Sequence, residues 1–136
     1  VDNGFYAGTV FHHVDSGFMV IGGGYTQDGA AKATSAPIPN EAYNGLKNRR
    51  GTLAMARETE YVDSATSQFF INLGDNAELD YDESPDGLSF GYCVFGEVIE
   101  GMDVVDRIAS VSVAATGDFP KMPSEPVVIN AVTRLR

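Results

Sequence analysis

Groups that hold metals or form cross-links are scarce in this chain of 136 residues, which has one cysteine, Cys93, and two histidines, His12 and His13. A single cysteine excludes an internal disulfide and a zinc site made of cysteines alone, so packing must hold the fold. Basic residues are also few, 9 against 19 acidic ones, giving a formal net charge of -10. Such a charge repels a phosphate backbone and offers an anionic membrane no polybasic patch, so neither nucleic acid nor a membrane is expected as a partner. No apolar run approaches the roughly 20 residues of a membrane-spanning helix, and the first six residues carry neither the basic nor the apolar region of a signal peptide. A soluble chain is expected. The cysteine count leaves the compartment open, with the cytoplasm placed ahead of the periplasm.

With 43% hydrophobic and 21% charged residues, the chain falls in the range of one globular domain over residues 1–136, able to bury a core. The periodic segments are short and strand-like: Val10 to His13, Phe18 to Ile21, Gly51 to Ala56, Gln68 to Leu73, Val94 to Val98 and Val127 to Leu135. They predict an all-β sheet or barrel. Met102, Val105, Ile108 and Ala109 fall at helical spacing and predict one helix over Gly101 to Ser110. Gln27 to Arg50 is expected to be a long loop and Asp80 to Gly87 a shorter acidic one. The opening Val-Asp-Asn-Gly resembles a helix end with Gly4 at the left-handed closing position, which predicts a segment upstream of Val1.

The obvious candidates for chemistry fail on spacing. In a strand, His12 and His13 point to opposite faces and cannot both reach one ion, so the expectation is one histidine inside and hydrogen-bonded rather than a metal site with Asp15. The run Gly22 to Gly24 matches neither GxGxxG nor a phosphate loop, and is expected to allow close packing or a bulge. Asp80, Asp82 and Asp86 are spaced like the start of a calcium loop, but Pro85 and Gly91 occupy the wrong positions for one. Nothing in the sequence places a base beside Cys93, so it is expected to be buried and inert. What remains is an apolar set around few polar groups: Phe18 and Met19, then Gln68 and Phe70 on one face of a strand, with Leu79 and Tyr92 further on. Taken alone, this set describes an ordinary barrel core.

The runs FHHVDSGFMVIGGGY, NGLKNRRGTLAMAR, ATSQFFINL and GYCVFGEVIEGMDVVDRI, in that order and spacing, resemble the cyclophilin-type peptidyl-prolyl cis-trans isomerases, above all the bacterial ones. The resemblance covers nearly the whole chain. It implies a closed eight-stranded antiparallel barrel capped by helices, with a proline-binding groove on its outside. It also implies that the family's first two strands and most of its first helix would precede Val1, leaving a barrel edge beside Val127 to Leu135. By the same resemblance, His12 is the family's structural histidine and His13 stands where the family has its catalytic arginine. Gln68 matches the second catalytic residue. Phe18, Met19, Phe70, Leu79 and Tyr92 match the substrate-binding positions, Tyr92 in place of a histidine common in eukaryotic members. The implied chemistry needs no metal, nucleophile or cofactor, and the implied partners are proline-containing peptides and unfolded proteins met by a monomer.

The departures from the family are specific. Ile21 replaces the glutamine that orients the arginine, so both members of that pair are changed. Glu78 stands where eukaryotic members have a tryptophan, which weighs against tight binding of cyclosporin. Imidazole is a shorter and weaker donor than guanidinium, so slowed isomerisation is expected. Two functions follow: an isomerase of X-Pro bonds assisting protein folding with reduced turnover, or a proline-peptide-binding or chaperone-like module that has lost turnover.

Overall fold

The computed structural model describes residues 1–83 and 90–136. Strands β1 (Thr9–Asp15) and β2 (Met19–Thr26) form a hairpin, with Asp15 opposite Met19 and the Phe18 N–H donating to the Asp15 carbonyl at 2.9 Å. Strands β3 (Thr52–Met55), β4 (Phe69–Asn72) and β5 (Val94–Glu97) complete an antiparallel sheet in the order β1-β2-β4-β3-β5. The all-β expectation holds: the described residues add one α-helix and a second, two-stranded sheet.

The register sorts the side chains onto two faces. Val14, Val20, Ile71 and Leu53 are successive cross-strand neighbours on one face, where they join Phe11, Leu73 and Val105 in the main core. His13, Ile21, Phe70 and Ala54 form the adjacent row on the other face, and the last three belong to a separate cluster around Phe70. Gly22 lies in register between Phe11 and Phe69, whose rings meet edge-on at 6.0 Å. A Cβ on Gly22 would come within 2.8 Å of the Phe11 ring, so the absence of a side chain lets the two aromatics close over this part of the core.

Helix α1 (Met102–Ala109) differs from the expected span by one residue at each end. Gly101 precedes it in the left-handed conformation, Asp103 lies in its first turn and Arg107 in its last, both favourable to the helix dipole. Its buried residue, Val105, enters the main core with Met102, Ile108 and Ala109 packed around it, and such burial stabilises by about 1.5–3 kcal/mol for the valine alone.

Two expectations fail. Val127 to Leu135 is not a strand: a single bridge joins Val128 to Val10, flanked by hydrogen bonds from Phe11 N to Val127 O (3.0 Å) and from Ile129 N to Thr9 O (2.8 Å). Beyond Ile129 the alternation finds no neighbouring backbone, and residues 130–136 are exposed. In its place a hairpin of β6 (Val113–Thr116) and β7 (Phe119–Pro123) lies against β1, tied there by the Lys121–Asp15 ion pair at 2.9 Å. The strand starting at Phe18 also runs on through all three glycines to Thr26 rather than ending at Ile21. The loop over residues 27–50 is irregular as expected, apart from a short 3-10 turn at Ala42–Asn44 and isolated bridges at Ala31 and Ile38. Gly4 takes the left-handed conformation expected of it, with φ 73°. Of the acidic loop, only residues 80–83 fall among the described residues; the calcium-loop positions at Pro85 and Asp86 lie outside them.

Candidate active site

Strand pairing sets the row of His13, Ile21, Phe70 and Ala54. Ile21 on β2 is the Cα partner of His13 on β1 and of Phe70 on β4, and Phe70 is in turn the partner of Ala54 on β3. Cross-strand partners share a face at about 4.5–5.5 Å between Cβ atoms, so this register fixes His13, Ile21 and Phe70 side by side. Phe70 is 2% exposed at the centre of a cluster with Met19, and Phe18, Ile21, Ala56, Leu79 and Tyr92 pack around it. Tyr92 meets the Phe70 ring edge-on at 5.7 Å and 77°. The Tyr92 N–H donates to the Leu79 carbonyl at 2.9 Å, which ties together two residues 13 positions apart in the chain. The five residues expected to bind substrate, Phe18, Met19, Phe70, Leu79 and Tyr92, are therefore brought together.

Gln68 precedes β4 by one residue and Phe70 by two, so it extends the Phe70 face rather than entering the cluster. Its carbonyl accepts from Ala56 N at 3.0 Å, and it lines a cavity of about 260 Å³ with Tyr25, Ala56, Arg57 and Glu58. Gly24 makes room for it: a Cβ there would fall 2.5 Å from Gln68 Cγ. The glycine run thus serves close packing twice, at Gly22 for the core and at Gly24 for Gln68.

The two histidines depart from the expected alternation. The β1–β2 register shifts between Phe11 and His13, so His12 sits in a bulge and both imidazoles line one cavity of about 320 Å³ with Ile21, Tyr25 and Phe119. Opposite faces were expected because alternation assumes an unbroken ladder. Among the described residues, no group of three or more His, Cys, Asp and Glu is placed to hold a metal. His12 is inside, 8% exposed, but its Nδ1 has no hydrogen-bond partner among the described residues; aromatic contacts with Tyr25 (4.8 Å) and Phe119 (5.6 Å) surround it instead. Burial first, and His13 second, push its pKa down to about 4. His13 is half-buried, and burial pulls its pKa below the usual value, against an upward pull from Asp15 and with a further downward push from Lys121. At neutral pH both rings are uncharged.

Cys93 is half-buried rather than buried, near Asn44 Nδ2 at 3.7 Å, and burial raises its thiol pKa, which keeps it protonated and unreactive. A larger cavity of about 440 Å³, lined by Leu46, Lys47, Arg49 and Phe95, shares only Val94 with the Phe70 cluster and touches neither His13 nor Gln68. Sequence reading missed Tyr25 and Phe119, which form the aromatic wall about His12, and Arg57, which lies over Tyr92. Tyr25 ends the first matched run and so was in view; Phe119 belongs to the unforeseen hairpin and carried no signal.

The fold is mainly β, and its sheet carries an apolar cluster around Phe70 with one imidazole, His13, and one carboxamide, Gln68, beside it. The sequence model of the family described as cyclophilin type peptidyl-prolyl cis-trans isomerase/CLD matches residues 1–134, and the chain belongs to that family. It is 53% identical over 131 residues to peptidyl-prolyl cis-trans isomerase A of Dickeya dadantii, covering 96% of this chain and 66% of that protein. It is 54% identical over 131 residues to peptidyl-prolyl cis-trans isomerase B of Escherichia coli, covering 96% and 78%. Among solved structures it is similar to the cyclophilin type isomerase of Cryptosporidium parvum crystallised in the presence of the dipeptide Ala-Pro, with TM-score 0.73, 25% identity, and coverage of 96% of this chain and 76% of the other.

Proposed function

We propose that this chain is a peptidyl-prolyl cis-trans isomerase acting on X-Pro bonds of peptides and unfolded proteins, with turnover limited at position 13. The observation that carries the reading is the row His13, Ile21, Phe70 set beside the cluster of Phe18, Met19, Leu79 and Tyr92. Rotation about an X-Pro bond gives up amide resonance, part of a barrier of about 18–20 kcal/mol. In the twisted state the prolyl nitrogen is pyramidal and carries a lone pair, so a donor aimed at it favours that state over the planar one. The apolar cluster would seat the prolyl ring, Gln68 would offer its carboxamide to the peptide backbone, and His13 would be the donor toward the nitrogen. An uncharged imidazole has one N–H where guanidinium has five donors, which sets the expectation of slow turnover. The Cryptosporidium relative obtained with Ala-Pro supports the class of ligand.

A second reading, a binding module without turnover, is favoured by one observation: Ile21 gives His13 an apolar neighbour, which removes an orienting partner without disturbing the Phe70 cluster. A protease-coupled isomerisation assay run beside a titration with the same Xaa-Pro peptide separates the two. The proposal expects saturable binding and a rate above the uncatalysed one. Binding without acceleration leaves only the module, and absence of both overturns the reading of the groove.

A further inference from the structure

Arg57 follows Ala56 just beyond β3, and the sequence marks it only as the last residue of a matched run. In the structure its guanidinium joins two chain segments, residues 57–59 and residues 91–92. Its Cζ lies 4.6 Å from the centroid of the Tyr92 ring. Its Nε and one terminal nitrogen donate to the Gly91 carbonyl at 3.2 and 3.1 Å, and the other terminal nitrogen donates to the carbonyls of Glu58 (3.0 Å) and Thr59 (3.1 Å). Only a planar fork of five donors can hold two backbone segments and still present a face to a ring; a lysine ammonium offers three donors at one point.

The segment it holds has little freedom of its own. Gly91 has φ 89°, and a Cβ there would lie 2.7 Å from the backbone of Asp80 and Tyr81, so residues 91–92 are pressed against the chain that follows Leu79. The Gly91 carbonyl also accepts from Asn40 Nδ2 at 3.1 Å. Arg57 therefore acts on the two residues, Tyr92 directly and Leu79 through the Tyr92 N–H, that close the cluster around Phe70.

We infer that Arg57 is a positioning residue: by its hydrogen bonds to Gly91 and its seat on the Tyr92 ring it fixes the Tyr92–Leu79 wall of the apolar groove, and so sets affinity for the ligand without reaching the bond that rotates. Its effect on binding rests on the proline-peptide reading given above, whereas the placement of Tyr92 can be observed with no peptide present. A brace for residues 57–59 alone would lower stability when removed and leave Tyr92 where it is.

The test compares Arg57→Gln in the parent and in a Tyr92→Leu background. Two quantities are read: the nuclear Overhauser contact between the Tyr92 and Phe70 rings in the free protein, and the dissociation constant and kcat for one Xaa-Pro peptide. Arg57→Gln should weaken the ring contact and raise the dissociation constant about three- to ten-fold, with kcat within about two-fold of the parent. In the Tyr92→Leu background, where the bonds to the Gly91 carbonyl and from the residue-92 N–H to Leu79 remain but the ring is gone, it should have a clearly smaller effect on binding. Arg57→Lys, which keeps charge and stem but lacks the fork, should fall between parent and Arg57→Gln, and it carries the same comparison if the glutamine variant fails to fold. An intact ring contact with unchanged affinity overturns the inference. So does equal weakening in both backgrounds, which would show that Arg57 acts without Tyr92. A parent that binds no Xaa-Pro peptide removes the reading of the groove, while the ring contact still decides the role of Arg57.

Discussion

His13 faces Ile21 as its Cα partner across β1 and β2, so the imidazole stands beside a side chain that can neither donate to it nor accept from it. Ile21 faces Phe70 on its other side and packs into the apolar cluster there. One residue thus packs into the Phe70 cluster and gives His13 an apolar cross-strand partner.

Phe70→Ala should cost both binding and stability, because the ring is buried yet lies outside the main core. Removing a buried phenylalanine costs about 3–5 kcal/mol of stability. In the fraction that remains folded, affinity for a proline peptide should fall by about 1–3 kcal/mol. Urea unfolding followed by titration of the folded mutant checks each part; an unchanged unfolding midpoint would contradict the placement of the ring.

Gly24→Ala should act on Gln68. The new Cβ would collide with a flexible side chain rather than with backbone, so stability should change little while the carboxamide is displaced. We expect kcat to fall about as far as in Gln68→Ala, roughly ten-fold, with little change in the double mutant relative to either single one. Additive losses would show that Gly24 serves something other than Gln68.

Stability should fall as the solution is acidified from about pH 6.5 toward about 4, because His12 is held uncharged in the folded state with its pKa near 4 and regains its ordinary value when unfolded. The unfolded chain then binds the extra proton across that window, so folding is favoured on the alkaline side and loses up to about 3 kcal/mol on the acid side. The lowered pKa of His13 acts in the same direction. Urea midpoints at the two ends of the window, for the parent and for His12→Phe, measure the effect. An equally steep dependence in the variant would assign it to other groups.

The parts of the fold legible in sequence are those where burial imposed a pattern on side chains. β3, β4, β5 and α1 fall within one residue of expectation at each end, because each strand is a short, mostly apolar run and the helix repeats apolar residues at helical spacing, with polar residues or glycine close to their limits. β2 was cut short because Gly22, Gly23 and Gly24 have no side chains to alternate. The β6–β7 hairpin was invisible: β6 is exposed at every position, and Pro120 and Pro123 in β7 argue against a strand. The cluster around Phe70 was legible because its members match the family's runs, whereas the bulge at His12 depends on how β1 pairs with β2 and is written in neither strand alone. Arg57 over Tyr92 joins segments 35 residues apart, and no local pattern announces such a contact.

If position 13 limits turnover in an otherwise competent groove, the rate constant for cis-to-trans conversion of one Xaa-Pro peptide from about pH 5 to about pH 8, across the imidazole range, will report it. The measurement compares the parent, His13→Arg and the double variant His13→Arg with Ile21→Gln. In the parent, activity that uses protonated His13 should decline as pH rises through a range below the usual imidazole value, since burial lowers its pKa. The double variant should be faster by about ten-fold or more and insensitive to pH in this range, with peptide affinity within about two-fold of the parent. The single variant should fall between them, because a guanidinium beside Ile21 is poorly oriented. Equal rates in all three folded proteins would show that turnover is decided elsewhere than at position 13.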